Sequence, residues 1–133
     1  DWTRDGARIL MTTERLDMAD LAAAAEAPWR GAPDGSVVGH VHLQVGDLDQ
    51  AHGFLTGDLD LTRTFDAPGG AWYGWDGYHH HLAANVWNSR GAGPRPEGRT
   101  GLRYVALQQQ FRRNSEIVDP WGNRFTAADV QAG

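Results

Sequence analysis

Six histidines and no cysteine set the limits of what this 133-residue chain can do chemically. Any metal must sit on His, Asp or Glu, and thiolate nucleophiles, disulfides, iron–sulfur clusters and Cys-based zinc sites are excluded. Five of the six histidines fall in two short runs, His40-Val41-His42 and Tyr78-His79-His80-His81. In the first run, period-two alternation from Val37 to Val45 puts Val41, Leu43 and Val45 on one strand face and His40, His42 and Gln44 on the other. In the second, the same period puts His79 and His81 together and His80 opposite. An H-x-H pair is read either as two strand histidines with ordinary hydrogen bonds or as half of a metal site. Three adjacent histidines are uncommon and favour a site role for at least one. Tyr104 is either a core aromatic or a group that hydrogen-bonds a substrate oxygen, and Trp72, Trp75 and Trp87 either fill the core or offer faces on which a flat ligand stacks. There is no G-x-S-x-G elbow, no G-x-x-x-x-G-K-[ST] loop and no H-E-x-x-H, so hydrolase and nucleotide-binding chemistry find no support.

Residues 1–35 read as a linker-like lead-in with a short Ala-rich helix over Leu16 to Ala27, N-capped by Asp17 and stopped by Pro28. Residues 36–133 read as the module proper. The strand Val37 to Val45 is followed by a helix that Asp47 and Gln50 open in capping-box fashion, with Leu48, Ala51, Phe54 and Leu55 at helical spacing. Strands are expected over Thr62 to Asp66, Ala71 to Trp75 and Tyr78 to Trp87, which gives β-α-β-β-β. Ser89 to Gly101 carries too much Gly and Pro for a regular element. Beyond it, Leu102 to Gln108 reads as a strand, and Glu116 to Val118 and Arg124 to Ala128 pair as a hairpin around Asp119-Pro120-Trp121-Gly122-Asn123. The second half thus resembles the first without its helix.

At 41% hydrophobic residues the chain is long enough and apolar enough to bury a core. Its net charge of −5 disfavours nucleic acid and anionic membranes as partners. No apolar stretch approaches a membrane span and the start lacks a signal-peptide pattern, so a cytoplasmic location is expected.

The run Gly39-His40-Val41-His42-Leu43-Gln44-Val45-Gly46-Asp47-Leu48, with Gly77-Tyr78-His79-His80-His81-Leu82, Asn85-Val86-Trp87 and Gly101-Leu102, resembles the vicinal oxygen chelate superfamily of glyoxalases, bleomycin-resistance proteins and extradiol dioxygenases. The likeness is to the C-terminal module of catechol 2,3-dioxygenase-like proteins, and Trp2, Gly6, Met11-Thr12-Thr13 and Leu16-Asp17 resemble the linker before that module. It implies an α+β fold of βαβββ repeats whose mixed sheet curls into a funnel, the second repeat lacking its helix. It further implies metal ligands at His40 and His81, catalytic roles for His79 and Tyr104, and substrate contacts from Trp72, Trp75, Trp87 and Asn85. Where relatives carry a second-repeat His and a last-strand Glu, this chain has Tyr104 and Thr126, so the two-His, one-carboxylate set of a non-haem iron site is incomplete. Asp76, Glu116 and Asp119 are the carboxylates nearest in sequence, and none falls on a matching position. The expected cofactor is a divalent metal, Fe(II) in first place, and the expected activity is that of a dioxygenase-like enzyme on a small aromatic. The alternatives are a metal-dependent lyase or isomerase, and a metal-free module that binds a drug or aromatic metabolite. A homodimer is expected, because one repeat leaves sheet surface and edges uncovered.

Overall fold

In chain order, the elements of the computed structural model are β1 (Trp2–Asp5), β2 (Arg8–Met11), α1 (Met18–Ala23), β3 (Val41–Gln44), α2 (Leu48–Gly57), β4 (Thr62–Ala67), β5 (Gly70–Gly74), β6 (Leu82–Asn85), β7 (Val105–Leu107), β8 (Glu116–Val118) and β9 (Arg124–Ala127). Residues 2–6, 8–12, 14–108 and 116–127 are described; Thr13, Ala128 and the 109–115 stretch, where a helix was expected to be missing, lie outside them.

Local chemistry sets the helices. The Asp47 carboxylate accepts from the Gln50 amide at 2.8 Å and caps α2, whose apolar stripe buries Ala51 and Leu55 against the first sheet. Asp17 caps α1 in the same way, through the Ala19 and Asp20 amides. However, α1 buries no residue and spans only Met18–Ala23 of the expected Leu16 to Ala27, as a short helix without tertiary support does.

The first sheet has the order β3-β6-β5-β4, with β3 and β6 parallel and the other pairs antiparallel. The second has the order β7-β9-β8 and repeats that pattern without its outermost strand: β7 and β9 parallel, β8 and β9 antiparallel. The architecture is α+β with mixed sheets, compatible with βαβββ order. One core joins the two sheets, with Leu43, Val45, Leu55, Tyr73 and Leu82 from the first half meeting Val105, Leu107, Trp121 and Phe125 from the second. A stitch reinforces the joint. The Trp121 indole donates to the Ala92 carbonyl at 2.9 Å, and the Gly91 amide to the Gly46 carbonyl at 2.8 Å. A Cβ at Gly46 would collide with Ala92 O, so only glycine lets these backbones meet. Below the stitch, buried Asp119 accepts from the Trp121 and Asn123 amides and from the Asn123 side chain, which fixes the β8–β9 turn.

Three expected strands are shorter than the sequence suggests, and one hairpin is additional. Val37 and Val38 are exposed and precede β3. Leu102 to Tyr104 precede β7. The expected Tyr78 to Trp87 strand narrows to β6, because Trp75-Asp76-Gly77-Tyr78 is a tight turn closed by Tyr78 N to Trp75 O at 2.9 Å, with φ of 50° at Asp76 and 71° at Gly77. In the lead-in, β1 and β2 pair antiparallel around Gly6, at φ 58°, and β2 lies against β4.

Candidate metal centre

Strand β3 carries Leu43 into the core and, by alternation, His42 to the opposite face, where the His40 ring lies 5.1 Å from it. Between the Asp76-Gly77 turn and β6 the chain runs irregularly, held by Thr64 Oγ1 donating to the His79 carbonyl and by His81 N donating to Tyr73 O at 2.8 Å. The period of two therefore fails over Tyr78 to His81. The His80 ring crosses to the β3 histidines, with its centroid 4.3 Å from His40 and 5.2 Å from His42. One nitrogen from each of His40, His42 and His80 lies within 4.8 Å of the others. Two ligands about 2.1 Å from one ion stand roughly 3–4 Å apart, so modest adjustment would let one ion meet all three. His42 Nε2 and His80 Nε2 are already 3.2 Å apart, and His80 Nδ1 faces His79 Nδ1 at 2.6 Å. That second contact orients the His80 ring from behind, as an outer partner of a metal-bound imidazole does.

Burial, reinforced by the surrounding imidazoles, pushes His80 down to about 3. Burial and then His40 lower His42 as well, and His79 is lowered by burial and by its histidine neighbours. His80 is accordingly neutral at pH 7, with a lone pair available for a cation. Three imidazoles suit a divalent first-row ion, and the donor set fits such a metal without supplying an anion.

The triad opens into a cavity of about 390 Å³, walled by Trp2, Met11, Glu14, Trp72, His79 and Trp87 among others. His42 meets Trp72 edge-on at 6.4 Å, and Trp87, half exposed, is tethered by its indole to the Pro68 carbonyl at 3.2 Å. His40 also borders a second cavity of about 990 Å³, which includes Trp75, Asp76, Tyr78, His81, Leu102 and Tyr104.

The expected site residues thus divide. His40, His79, Trp72 and Trp87 share the triad's cavity. His81 instead accepts from the Trp75 amide at 3.2 Å through Nδ1 and packs on the Trp75 and Tyr78 rings. It lines the larger cavity with Trp75 and Tyr104, the latter half exposed, and burial lowers its pKa against the opposing pull of Asp76. Asn85 is buried, with its Oδ1 lacking a hydrogen-bond partner, and borders neither cavity. His42 and His80 are the two members of the triad that the expected ligand pair of His40 and His81 leaves out. For His42 the signal was present in its shared face with His40; for His80 it lay in the Asp76-Gly77 dipeptide, which breaks the strand.

A mixed α+β scaffold brings three imidazoles together in a group that could hold a metal ion. In sequence the chain is 31% identical over 121 residues to a catechol-2,3-dioxygenase of Bacillus subtilis (strain 168). The match takes in 88% of this chain and 42% of that protein, so the chain spans less than half the length of the relative. No family model matches the chain. Among the described residues, no helix is long and apolar enough to cross a membrane.

Proposed function

We propose that this chain is a vicinal oxygen chelate module that holds a divalent metal, Fe(II) in first place, and takes a small aromatic bearing adjacent oxygens, as an extradiol-type dioxygenase does. The observation that carries the reading is that nitrogens of His40, His42 and His80 lie within 4.8 Å of one another on a cavity lined by tryptophans. The likeness to a catechol-2,3-dioxygenase supports it, and the matching strand order of the two sheets supports βαβββ repeats curled into one funnel. A bound ion would supply a Lewis acid for two substrate oxygens and, as Fe(II), a partner for dioxygen. The chain's own residues do the rest. Trp72 and Trp87 offer aromatic faces beside the triad and exclude water, and His79 holds the His80 ring in place and can accept or release a proton at its other nitrogen. In the larger cavity, the Tyr104 hydroxyl and His81 are positioned to contact substrate oxygens. Edges at β3 and β7 that pair with no other strand among the described residues favour a homodimer.

Anaerobic reconstitution with Fe(II), followed by catechol in air, tests the reading. About one iron per chain and a coloured ring-cleavage product are expected, both lost in His80→Ala. No iron above trace in the unsubstituted chain would sink it. The larger cavity, with exposed Val37, Val38 and Leu102 in its wall, favours a second reading as a metal-free binder of aromatic molecules. Tight quenching of Trp fluorescence by catechol that persists after chelation, with no turnover, would select it.

A further inference from the structure

The triad supplies no anion, and its cavity has one carboxylate in its wall among the described residues: Glu14, in the segment that follows β2. We infer that Glu14 is the anionic ligand of this metal site, delivered from the lead-in and not from either sheet; the inference rests on the metal reading above. Three observations place this segment at the site. Trp2 and Met11, paired across the β1–β2 hairpin, both line the triad's cavity, and Glu14 stands three residues beyond Met11. The Trp2 ring packs against His79 at 5.1 Å, and Arg4 donates to the Gly77 carbonyl at the turn that presents the histidines. Strand β2 also lies against β4, so the hairpin is held by the first sheet as well as by the histidine loop. A divalent ion on three imidazoles keeps its full charge in a partly desolvated cavity, and one carboxylate halves it. The Glu14 carboxylate lies on the wall of the same cavity but outside the 4.8 Å group of imidazole nitrogens, so ligation requires its side chain to close on the triad as metal binds. The carboxylate missing from β9, where Thr126 stands, is thereby replaced from the opposite end of the chain.

Titration of the metal-free chain with Co(II), followed by visible absorption and calorimetry, tests the assignment. Glu14→Gln should weaken binding by on the order of 100-fold or more, since even the loss of an outer partner of a metal ligand costs about 10–100-fold. It should also change the Co(II) spectrum, while Glu14→Asp recovers part of the affinity. Because Glu14 is exposed, both variants should melt with the unsubstituted chain. Equal affinity and spectrum in Glu14→Gln would overturn the role of Glu14 and leave the imidazole site standing. Weaker binding with an unchanged spectrum would mean that Glu14 acts through charge alone, and would overturn ligation. No Co(II) binding by the unsubstituted chain would overturn both this inference and the metal reading.

Discussion

Glycine 74 ends β5 directly beneath the histidine loop, and replacing it with alanine tests how that loop is held. A Cβ there would run into the carbonyl oxygen of Tyr78, a backbone atom that cannot swing aside. The loop cannot retreat cheaply either. Tyr78 N is tied to Trp75 O at 2.9 Å, His81 N to Tyr73 O at 2.8 Å, and the His79 carbonyl to Thr64 Oγ1. Overpacking of this kind costs about 1–3 kcal/mol. For a domain of this size, about 2 kcal/mol corresponds to a fall in melting temperature of roughly 6–10 °C. The displaced segment carries His80, so divalent-metal affinity should fall together with stability. Gly53 in α2 provides the control. A Cβ there meets nothing within 4 Å, and a helix-interior glycine costs about 0.5–1 kcal/mol relative to alanine, so Gly53→Ala should raise the melting temperature by about 2–4 °C with metal affinity unchanged. Thermal melts and metal titrations of the two variants side by side are the assay. A Gly74→Ala chain that melts and binds like the unsubstituted one would refute the account of how β5 presents the histidines.

Metal-free protein should lose stability as the pH falls. The folded pKa of His80 lies near 3, below its unfolded value of 6.5, so the unfolded chain takes up the proton first; the contribution is complete above 6.5 and is lost towards 3, with His42, His79 and His81 acting in the same direction. Urea midpoints at pH 7 and pH 5 measure this, and His80→Gln should narrow the difference between them. Asp119→Ala leaves the Trp121 and Asn123 amides without their acceptor and should cost about 3 kcal/mol in urea unfolding, because hydrogen bonds to a charged group contribute about 1.5–3 kcal/mol each. Light scattering should report a dimer; a monomeric mass across the soluble concentration range would refute the proposed edge pairing.

Features encoded within a few residues were legible from sequence. Asp47 with Gln50, Asp17 with Asp20, and the Asp119 to Asn123 turn each carry their own hydrogen-bonding logic, and the structure shows those bonds. Alternation likewise put His40 beside His42, since both lie in or directly beside β3. The rule failed at His80 because it presupposes a strand, and the turn at Asp76-Gly77 postpones the strand to Leu82. The β1–β2 hairpin was missed for a different reason. The glycine at its turn, Gly6, is a visible signal, but strands of four residues gain their stability from partners far along the chain, such as Gly77 for Arg4 and His79 for Trp2. Sequence spacing says nothing of such partners. Of the cavity wall, Trp72, Trp87 and His79 were legible in sequence, whereas Trp2, Met11 and Glu14 were not, for the same reason.

The Gly46–Ala92–Trp121 stitch divides the long connection between the sheets into two stretches that differ in tolerance. Up to Ala92 the chain is committed, and Arg95 is committed again through its amide to the Trp121 carbonyl and its guanidinium to the Leu102 carbonyl. Residues 96–100 lie past both anchors and are fully on the surface. Lengthening a tethered loop is nearly free in chain entropy, about 0.6 kcal/mol for each doubling. A peptide tag or a protease site belongs at Glu97 to Arg99, whereas a residue added between Gly91 and Ala92 would move one of the stitch's two carbonyl and amide contacts out of register with the other.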